Sequence, residues 1–208
     1  MRLRLLVLVA LAAFLVFAGV VVGQSSGVPS PSNSILDPCM VLCPNGDITY
    51  HVTVKDLANN PVSGSTVVLD FSQCAGWMVC PDPGPGITVD IPTRTMRMVS
   101  NANGEAFFAA KVGGVCASIV NVYADGVLLK QTALRSPDQD GNLAVNGADQ
   151  AILVAKIAGG TDPTGDLNCS ATTDSADLVV LGAHINHGCN GIIPVRPGSW
   201  GRLKSIYR

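Results

Sequence analysis

The chain has 208 residues and a formal net charge of −2, and 13% of its residues are charged, so it has room for one or two small domains beside a targeting segment. It has no basic, aromatic-interleaved patch in its central region, which argues against nucleic-acid binding. Its seven cysteines indicate an oxidising compartment, and because seven is odd, at least one thiol is unpaired or bonded to another molecule.

Residues 1–23 have the pattern of an export signal. Arg2 and Arg4 precede an apolar run over residues 5–22. An uncleaved N-terminal anchor is the alternative, because the run approaches the roughly 18 apolar residues that span a bilayer. We therefore expect the protein to be extracellular or held at the cell surface.

The next two segments predict a linker and then β-strands. Residues 24–34 are rich in Ser, Pro and Gly, which predicts a flexible linker. Apolar and polar residues alternate from Ile48 to Lys55, as in a half-buried strand. Asn103-Gly104 is a turn pattern, and Asp125-Gly126 between the strand patterns of residues 119–124 and 127–133 predicts a two-residue hairpin. Six or seven short strands over residues 35–136 predict an all-β sandwich.

Two motifs in this segment carry a resemblance to a known fold. The first is a strand-turn-strand pattern made by Val54, Asp56, Asn60, Pro61, Val62, Gly64 and Val67. The second is a turn pattern made by Asn101, Asn103, Gly104, Ala106 and Phe108. With these motifs, residues 35–136 resemble the bacterial immunoglobulin-like modules of surface adhesins and the related carboxypeptidase-regulatory-like fold. The resemblance implies a spacer or adhesive module and no active site.

Residues 137–190 contain a duplicated acidic loop. This stretch has seven Asp and a single cation, Lys156, which is a net charge of −6, and such a segment favours cations. The two loops, residues 138–149 and 166–177, have oxygen-bearing side chains at positions 1, 3, 5, 9 and 12, and an apolar helix pattern follows each. That is the ligand order of an EF-hand calcium loop.

Two such loops that end in Asp rather than Glu resemble a type I dockerin, a small all-α EF-hand-type helix pair that binds a cohesin domain on another protein. The calcium ligands that this resemblance implies are Asp138, Asp140, Asn142, the carbonyl of Ala144, Asn146 through water and Asp149 in the first loop, and Asp166, Asn168, Ser170, the carbonyl of Thr172, Asp174 through water and Asp177 in the second. The partner-binding positions that it implies are Gly147, Ala148, Ser175 and Ala176.

Some loop residues depart from the family pattern. Position 6 is usually Gly because the backbone turns there with positive φ, but here it is Leu143 and Ala171, at a cost of about 1 kcal/mol each. Ser170 replaces a carboxylate or amide, so we expect the first loop to bind calcium more tightly. The alternative to calcium binding is that Asp149 and Asp177 only cap helices. The alternative to cohesin binding is that the helix pair packs on its own β-domain.

The cysteines and histidines allow several interpretations. Cys169 and Cys189 flank the second loop and its helix, and we expect them to form a disulfide, whereas the pairing of the other five cysteines stays open. Two zinc sites are weaker alternatives. Their candidate ligands are Cys39, Cys43, Cys74 and Cys80 for one, and His184, His187, Cys169 and Cys189 for the other.

We expect no catalysis, because no Gly-x-Ser-x-Gly elbow, His-Glu-x-x-His helix or phosphate loop occurs. The sequence predicts an exported protein that binds calcium and a cohesin-like partner, with a link to polysaccharide breakdown implied by the family. A surface adhesin or stalk with calcium as a clamp is the main alternative, and a glycan-binding module using Trp77 is a weaker one. In the tail, residues 191–208, Trp200, Leu203 and Tyr207 have helical spacing among cations, which suggests surface attachment or a disordered end.

Overall fold

The computed structural model describes residues 27–160 and 162–192. This part of the chain is a β-rich fold with a small helical part. The strands are β1 (Ile35–Leu36), β2 (Met40–Val41), β3 (Tyr50–Thr53), β4 (Thr66–Asp70), β5 (Met78–Val79), β6 (Thr88–Asp90), β7 (Thr95–Val99), β8 (Glu105–Phe108), β9 (Val112–Gly113), β10 (Cys116–Ala124), β11 (Val127–Arg135), β12 (His187–Gly188) and β13 (Gly191–Ile192). The helices are α1 (Gly147–Gly159), a 3-10 helix (Pro163–Gly165) and α2 (Ser175–Ala183).

Two main sheets form the core of the β-domain, which we define as residues 27–136, and β5 and β9 pair as a separate two-stranded sheet. The larger sheet has the strand order β2-β11-β10-β4-β7-β6, and the smaller has the order β1-β3-β8. Strand β3 alternates buried Tyr50 and Val52 with half-buried His51 and Thr53, as predicted. Its buried side chains share one hydrophobic core with those of the larger sheet. This alternation buries one face of each sheet against the other.

The two predicted turns have different roles. Asp125 and Gly126 both have positive φ, 47° and 82°, and close the β10–β11 hairpin as predicted. Gly104, with φ of 75°, also turns the chain. However, β7 and β8 on its two sides belong to different sheets. This turn therefore passes the chain between the sheets and closes no hairpin.

Two predictions about the β-domain are wrong. The predicted linker packs on the β-domain from Pro29 onwards, because Ser30 is buried and its N–H donates to the Lys55 carbonyl at 2.7 Å. Trp77 is only 6% exposed and stacks on Phe71, so it offers no platform for a glycan. The predicted export signal and most of the predicted tail lie outside the described residues.

The helical module, which we define as residues 137–190, shares a core with the β-domain. Around β2, Met40 and Leu42 enter the core of the sheets, whereas Cys39, Val41 and Cys43 enter a second core. The module contributes Val145, Leu153, Leu167 and Leu181 to that second core. Side chains of a strand alternate between its two faces, and both faces of this segment are buried. The segment therefore holds the helical module against the β-domain.

Three disulfides join six of the seven cysteines, which is consistent with an exported protein. The predicted Cys169–Cys189 bridge is wrong. The observed pairs are Cys39–Cys169, Cys74–Cys116 and Cys80–Cys189. The first and the last cross from the β-domain to the helical module, because the module lies against that domain and brings its cysteines to distant partners. Among the described residues, no helix is long and apolar enough to cross a bilayer.

Candidate metal centre

The first acidic loop, residues 138–149, brings three carboxylates together. Ligand oxygens of Asp138, Asp140 and Asp149 lie within 4.8 Å of one another. Asp138 and Asp149 are fully buried, at 0% exposure. These are positions 1, 3 and 12 of the loop, so three of the predicted ligands converge.

Backbone N–H groups hold the two buried carboxylates of the first loop. The N–H groups at positions 4, 5 and 6 donate to Asp138 at 3.0, 3.1 and 2.9 Å. Those at positions 2, 3 and 9 donate to Asp149 at 2.7, 3.2 and 2.8 Å. Each buried acid is therefore tied into the loop backbone and fixes its turn.

The second loop, residues 166–177, repeats this hydrogen-bonding scheme. The N–H groups at positions 5 and 6 donate to Asp166 at 2.9 and 3.1 Å. Those at positions 2, 3 and 9 donate to Asp177 at 2.7, 3.0 and 2.9 Å. Asp166 and Asp177 are buried, at 2% and 0% exposure. The two loops are therefore a structural as well as a sequence duplication.

The helices are capped at loop position 9 and begin at position 10, not at position 12. Asn146 is the N-cap of α1 and Asp174 is the N-cap of α2, each with the position-12 aspartate as its capping-box partner. Asp149 and Asp177 thus have a capping role, as the alternative interpretation held, but from the third helical residue. Capping does not account for the buried acid at position 1 of both loops.

The remaining predicted ligands lie around each loop in local hydrogen bonds. In the first loop, the Asn142 amide donates to Asp140 and the Asn146 amide donates to the Ala144 carbonyl. In the second loop, the remaining predicted ligands are Asn168, Ser170, Thr172 and Asp174, and the side chains of Ser170 and Thr172 hydrogen-bond to each other. Oxygen-bearing side chains thus recur at alternate positions of both loops, which fits the chemistry of a hard cation.

The position-6 residues have the strained backbone that the sequence predicts. Leu143 has φ of 65° and Ala171 has φ of 72°. Both lie in the left-handed region, which costs a residue with a Cβ roughly 1–2 kcal/mol. The hydrogen bonds from these residues to Asp138 and Asp166 oppose that cost.

Two buried carboxyl groups of the first loop have raised pKa values. Burial, together with the nearby charge of Asp149, raises the pKa of Asp138 above its usual range, although the Leu143 N–H opposes the shift. Burial also raises the pKa of Asp149. Since bringing a cation among these carboxylates would favour their charged form, the first loop has the electrostatics of a cation site.

A guanidinium group balances part of the charge in the second loop. Arg135 Nη2 lies 3.4 Å from Asp166 Oδ2, and both side chains are largely buried. Arg135 ends β11 and also donates from Nε to the Pro163 carbonyl. The second loop therefore has an internal cation, supplied by the β-domain.

The first loop packs closely against Gly113 and Gly114 of the β-domain, two residues that sequence reasoning missed. A Cβ atom at Gly113 would overlap Asp138 Oδ2. The Gly114 N–H donates to the Asp138 carbonyl at 3.0 Å. The adjacent glycines were visible in the sequence, but nothing there related them to residue 138.

The predicted partner-binding residues lie on the surface. Gly147, Ala148, Ser175 and Ala176 are exposed in the first turn of α1 or α2. Val154 and Val179 on the same helices are also exposed, at 48% and 75%. The outer faces of the helices thus present small and apolar side chains.

Neither zinc site considered from the sequence forms. Cys169 and Cys189 belong to different disulfides, so they do not join His184 and His187. The other set loses Cys39, Cys74 and Cys80 to disulfides in the same way.

Comparison of the chain with protein-family models, curated proteins and solved structures gave no match in any of the three.

Proposed function

We propose that this chain is an exported, non-catalytic protein in which an immunoglobulin-like sandwich carries a dockerin-like calcium module. The observation that carries the proposal is the duplicated loop, with a buried aspartate at positions 1 and 12 tied to the same backbone positions in both copies. One such loop is explained by turn formation and helix capping. Two loops with the same hydrogen-bonding scheme and the same ligand spacing favour a ligand that both would bind. The proposed ligand is calcium, because the side chains in these positions offer oxygen atoms.

Calcium would be held by the residues that the sequence predicts, with the carboxylates of Asp138, Asp140 and Asp149 at its centre in the first loop. Calcium supplies positive charge to a segment with a net charge of −6. Because metal binding to the folded state stabilises it relative to the unfolded state, we expect calcium to raise the melting temperature of the whole chain.

The exposed starts of α1 and α2 are the proposed binding surface for a cohesin-like domain. Their small side chains allow a partner to approach both helices closely, and the apolar contacts would be suited to a flat sheet. The dockerin resemblance further implies that such a partner belongs to a polysaccharide-degrading assembly.

The test is capture of purified type I cohesin domains on the immobilised chain, in calcium and in chelator. We expect calcium-dependent binding that is lost when Ala148→Arg and Ala176→Arg are combined. Leu57→Arg is the matched control, because Leu57 is 83% exposed in a turn of the β-domain. Binding that survives the double change, with calcium uptake intact, would contradict the proposed surface.

The adhesin or stalk is the second candidate, and one observation favours it. Two disulfides and a shared core fix the helical module on the β-domain. In that arrangement calcium acts as a clamp that stabilises the end of the β-domain. A calcium-induced rise in melting temperature without capture of any cohesin would support this candidate over the first.

A further inference from the structure

Two imidazoles, a thiol and a carboxylate converge where the helical module meets the β-domain. They belong to Cys43, Asp47, His184 and His187, whose ligand atoms all lie within 4.8 Å of one another. Cys43 and Asp47 follow β2, whereas His184 ends α2 and His187 begins β12. The cluster therefore joins two parts of the chain that are more than a hundred residues apart in sequence.

The distances in this cluster are close to those of a tetrahedral metal site. Asp47 Oδ2 lies 2.9 Å from His184 Nδ1 and 3.0 Å from His187 Nδ1. The two Nδ1 atoms are 3.2 Å apart. Zinc bonds of about 2.0–2.1 Å to nitrogen and oxygen place neighbouring ligands about 3.3 Å apart. Three ligand atoms thus already have nearly the required separation.

Asn45 orients one imidazole of the cluster. The Asp47 N–H donates to Asn45 Oδ1 at 3.1 Å, which orients the Asn45 amide so that its NH2 group faces His187 Nδ1 at 3.0 Å. An NH2 group only donates, so His187 Nδ1 is an acceptor without a proton. Asp47 Oδ2 lies 3.0 Å from the same nitrogen. An imidazole nitrogen has a single lone pair, so a metal ion would bind His187 Nδ1 in place of the Asn45 N–H.

The remaining ligand is the cysteine that forms no disulfide. Cys43 is fully buried, and its Sγ lies within 4.8 Å of the other three ligand atoms. Six cysteines pair, so a role for the seventh must be sought elsewhere. A thiolate with two imidazoles and a carboxylate is a ligand set for zinc, whereas calcium takes six to eight oxygens.

We propose that Cys43, Asp47, His184 and His187 bind one Zn²⁺ ion that fastens the helical module to the β-domain. All four positions come from the protein, as in structural rather than catalytic zinc sites. The site lies beside the first calcium loop, because the Val145 N–H at loop position 8 donates to the His187 carbonyl at 2.8 Å. Zinc binding at this site does not require a cohesin partner.

The test is a cobalt titration of the exported full chain with its disulfides intact, stripped of metal and then saturated with calcium so that the acidic loops do not take up the probe. We expect one Co²⁺ per chain, with the visible bands of tetrahedral cobalt and a thiolate-to-cobalt charge-transfer band. Equimolar Zn²⁺ should displace both. A spectrum of the unaltered chain without the charge-transfer band would contradict the proposal, whatever any variant does to folding.

Variants assign the ligands. Cys43→Ser should remove the charge-transfer band and weaken zinc binding by more than about 100-fold, since even outer-shell changes cost 10–100-fold. If that variant does not fold, His184→Gln replaces it with the same expected loss of affinity. His51→Asn is the matched control, because His51 stacks on Phe107 in the β-domain, and it should leave the spectrum unchanged. Equal zinc affinity in the ligand variant and the unaltered chain would overturn the assignment.

Discussion

The two acidic loops share one hydrogen-bonding scheme but differ in charge. In both, backbone N–H groups tie a buried aspartate at position 1 and another at position 12 into the turn. The first loop gathers three carboxylates, whereas the second has Asn168 and Ser170 at positions 3 and 5 and the Arg135 guanidinium beside Asp166. The buried aspartates thus have the same place in both turns, whereas the charge around them differs, which makes the first loop the stronger candidate for a cation site.

The largest effect is expected from removing the position-12 acid in the absence of calcium. Asp177→Ala leaves three backbone N–H groups without their acceptor, so we expect the free energy of unfolding to fall by about 3 kcal/mol. Asp149→Ala should cost less, because it also relieves repulsion with Asp138 and Asp140. Urea unfolding in chelator measures both.

Asp90→Ala, at the end of β6, is the control for this pair. The Asp90 side chain accepts one long backbone hydrogen bond, from the Thr93 N–H at 3.4 Å, so the free energy of unfolding should change by less than about 0.5 kcal/mol. A larger loss for Asp149→Ala than for Asp177→Ala would contradict the charge difference between the loops.

The next effect concerns the internal cation of the second loop. Arg135→Gln should strengthen calcium binding there about tenfold, or about 1.4 kcal/mol, because Asp166 then loses its competing partner. A chain that also carries Asp138→Asn isolates this loop in a calorimetric titration. Lys130→Gln is the control, since Lys130 donates to the Asp37 and Pro38 carbonyls instead. Unchanged or weaker binding in the Arg135 variant would show that the guanidinium does not compete.

The smallest effect tests the strained position 6. Ala171 is exposed with φ of 72°, so Ala171→Gly should raise the free energy of unfolding by roughly 0.5–1 kcal/mol. Ala155→Gly within α1 should lower it by about 1 kcal/mol, because glycine is unfavourable in a helix. Thermal unfolding measures both changes, and a loss of stability at both positions would count against strain in the loop.

Local features of the fold could be predicted from the sequence. The alternation around Tyr50 and the turn at Asp125-Gly126 specify a strand and a hairpin through neighbouring residues alone. The backbone strain at loop position 6 could also be predicted from the sequence. A twelve-residue loop of this kind imposes a positive φ at that position, whichever residue occupies it.

Long-range features could not be predicted. The disulfide partners of Cys169 and Cys189 depend on how the helical module lies on the β-domain, and cysteine spacing does not encode that orientation. The same orientation brings Cys43 and Asp47 to the two histidines and Arg135 to the second loop. Sequence reasoning grouped His184 and His187 with Cys169 and Cys189, which are nearby in the chain, whereas the structure brings the two histidines to Cys43 and Asp47.

The most direct test of the calcium account is a calorimetric titration of the oxidised, metal-stripped chain with calcium. The account predicts two bound ions per chain, with the tighter site lost in Asp138→Asn and the weaker one lost in Asp166→Asn. Absence of binding would mean that the buried aspartates serve only the turns and helix caps. A tighter site that is lost in Asp166→Asn would contradict the comparison of the two loops.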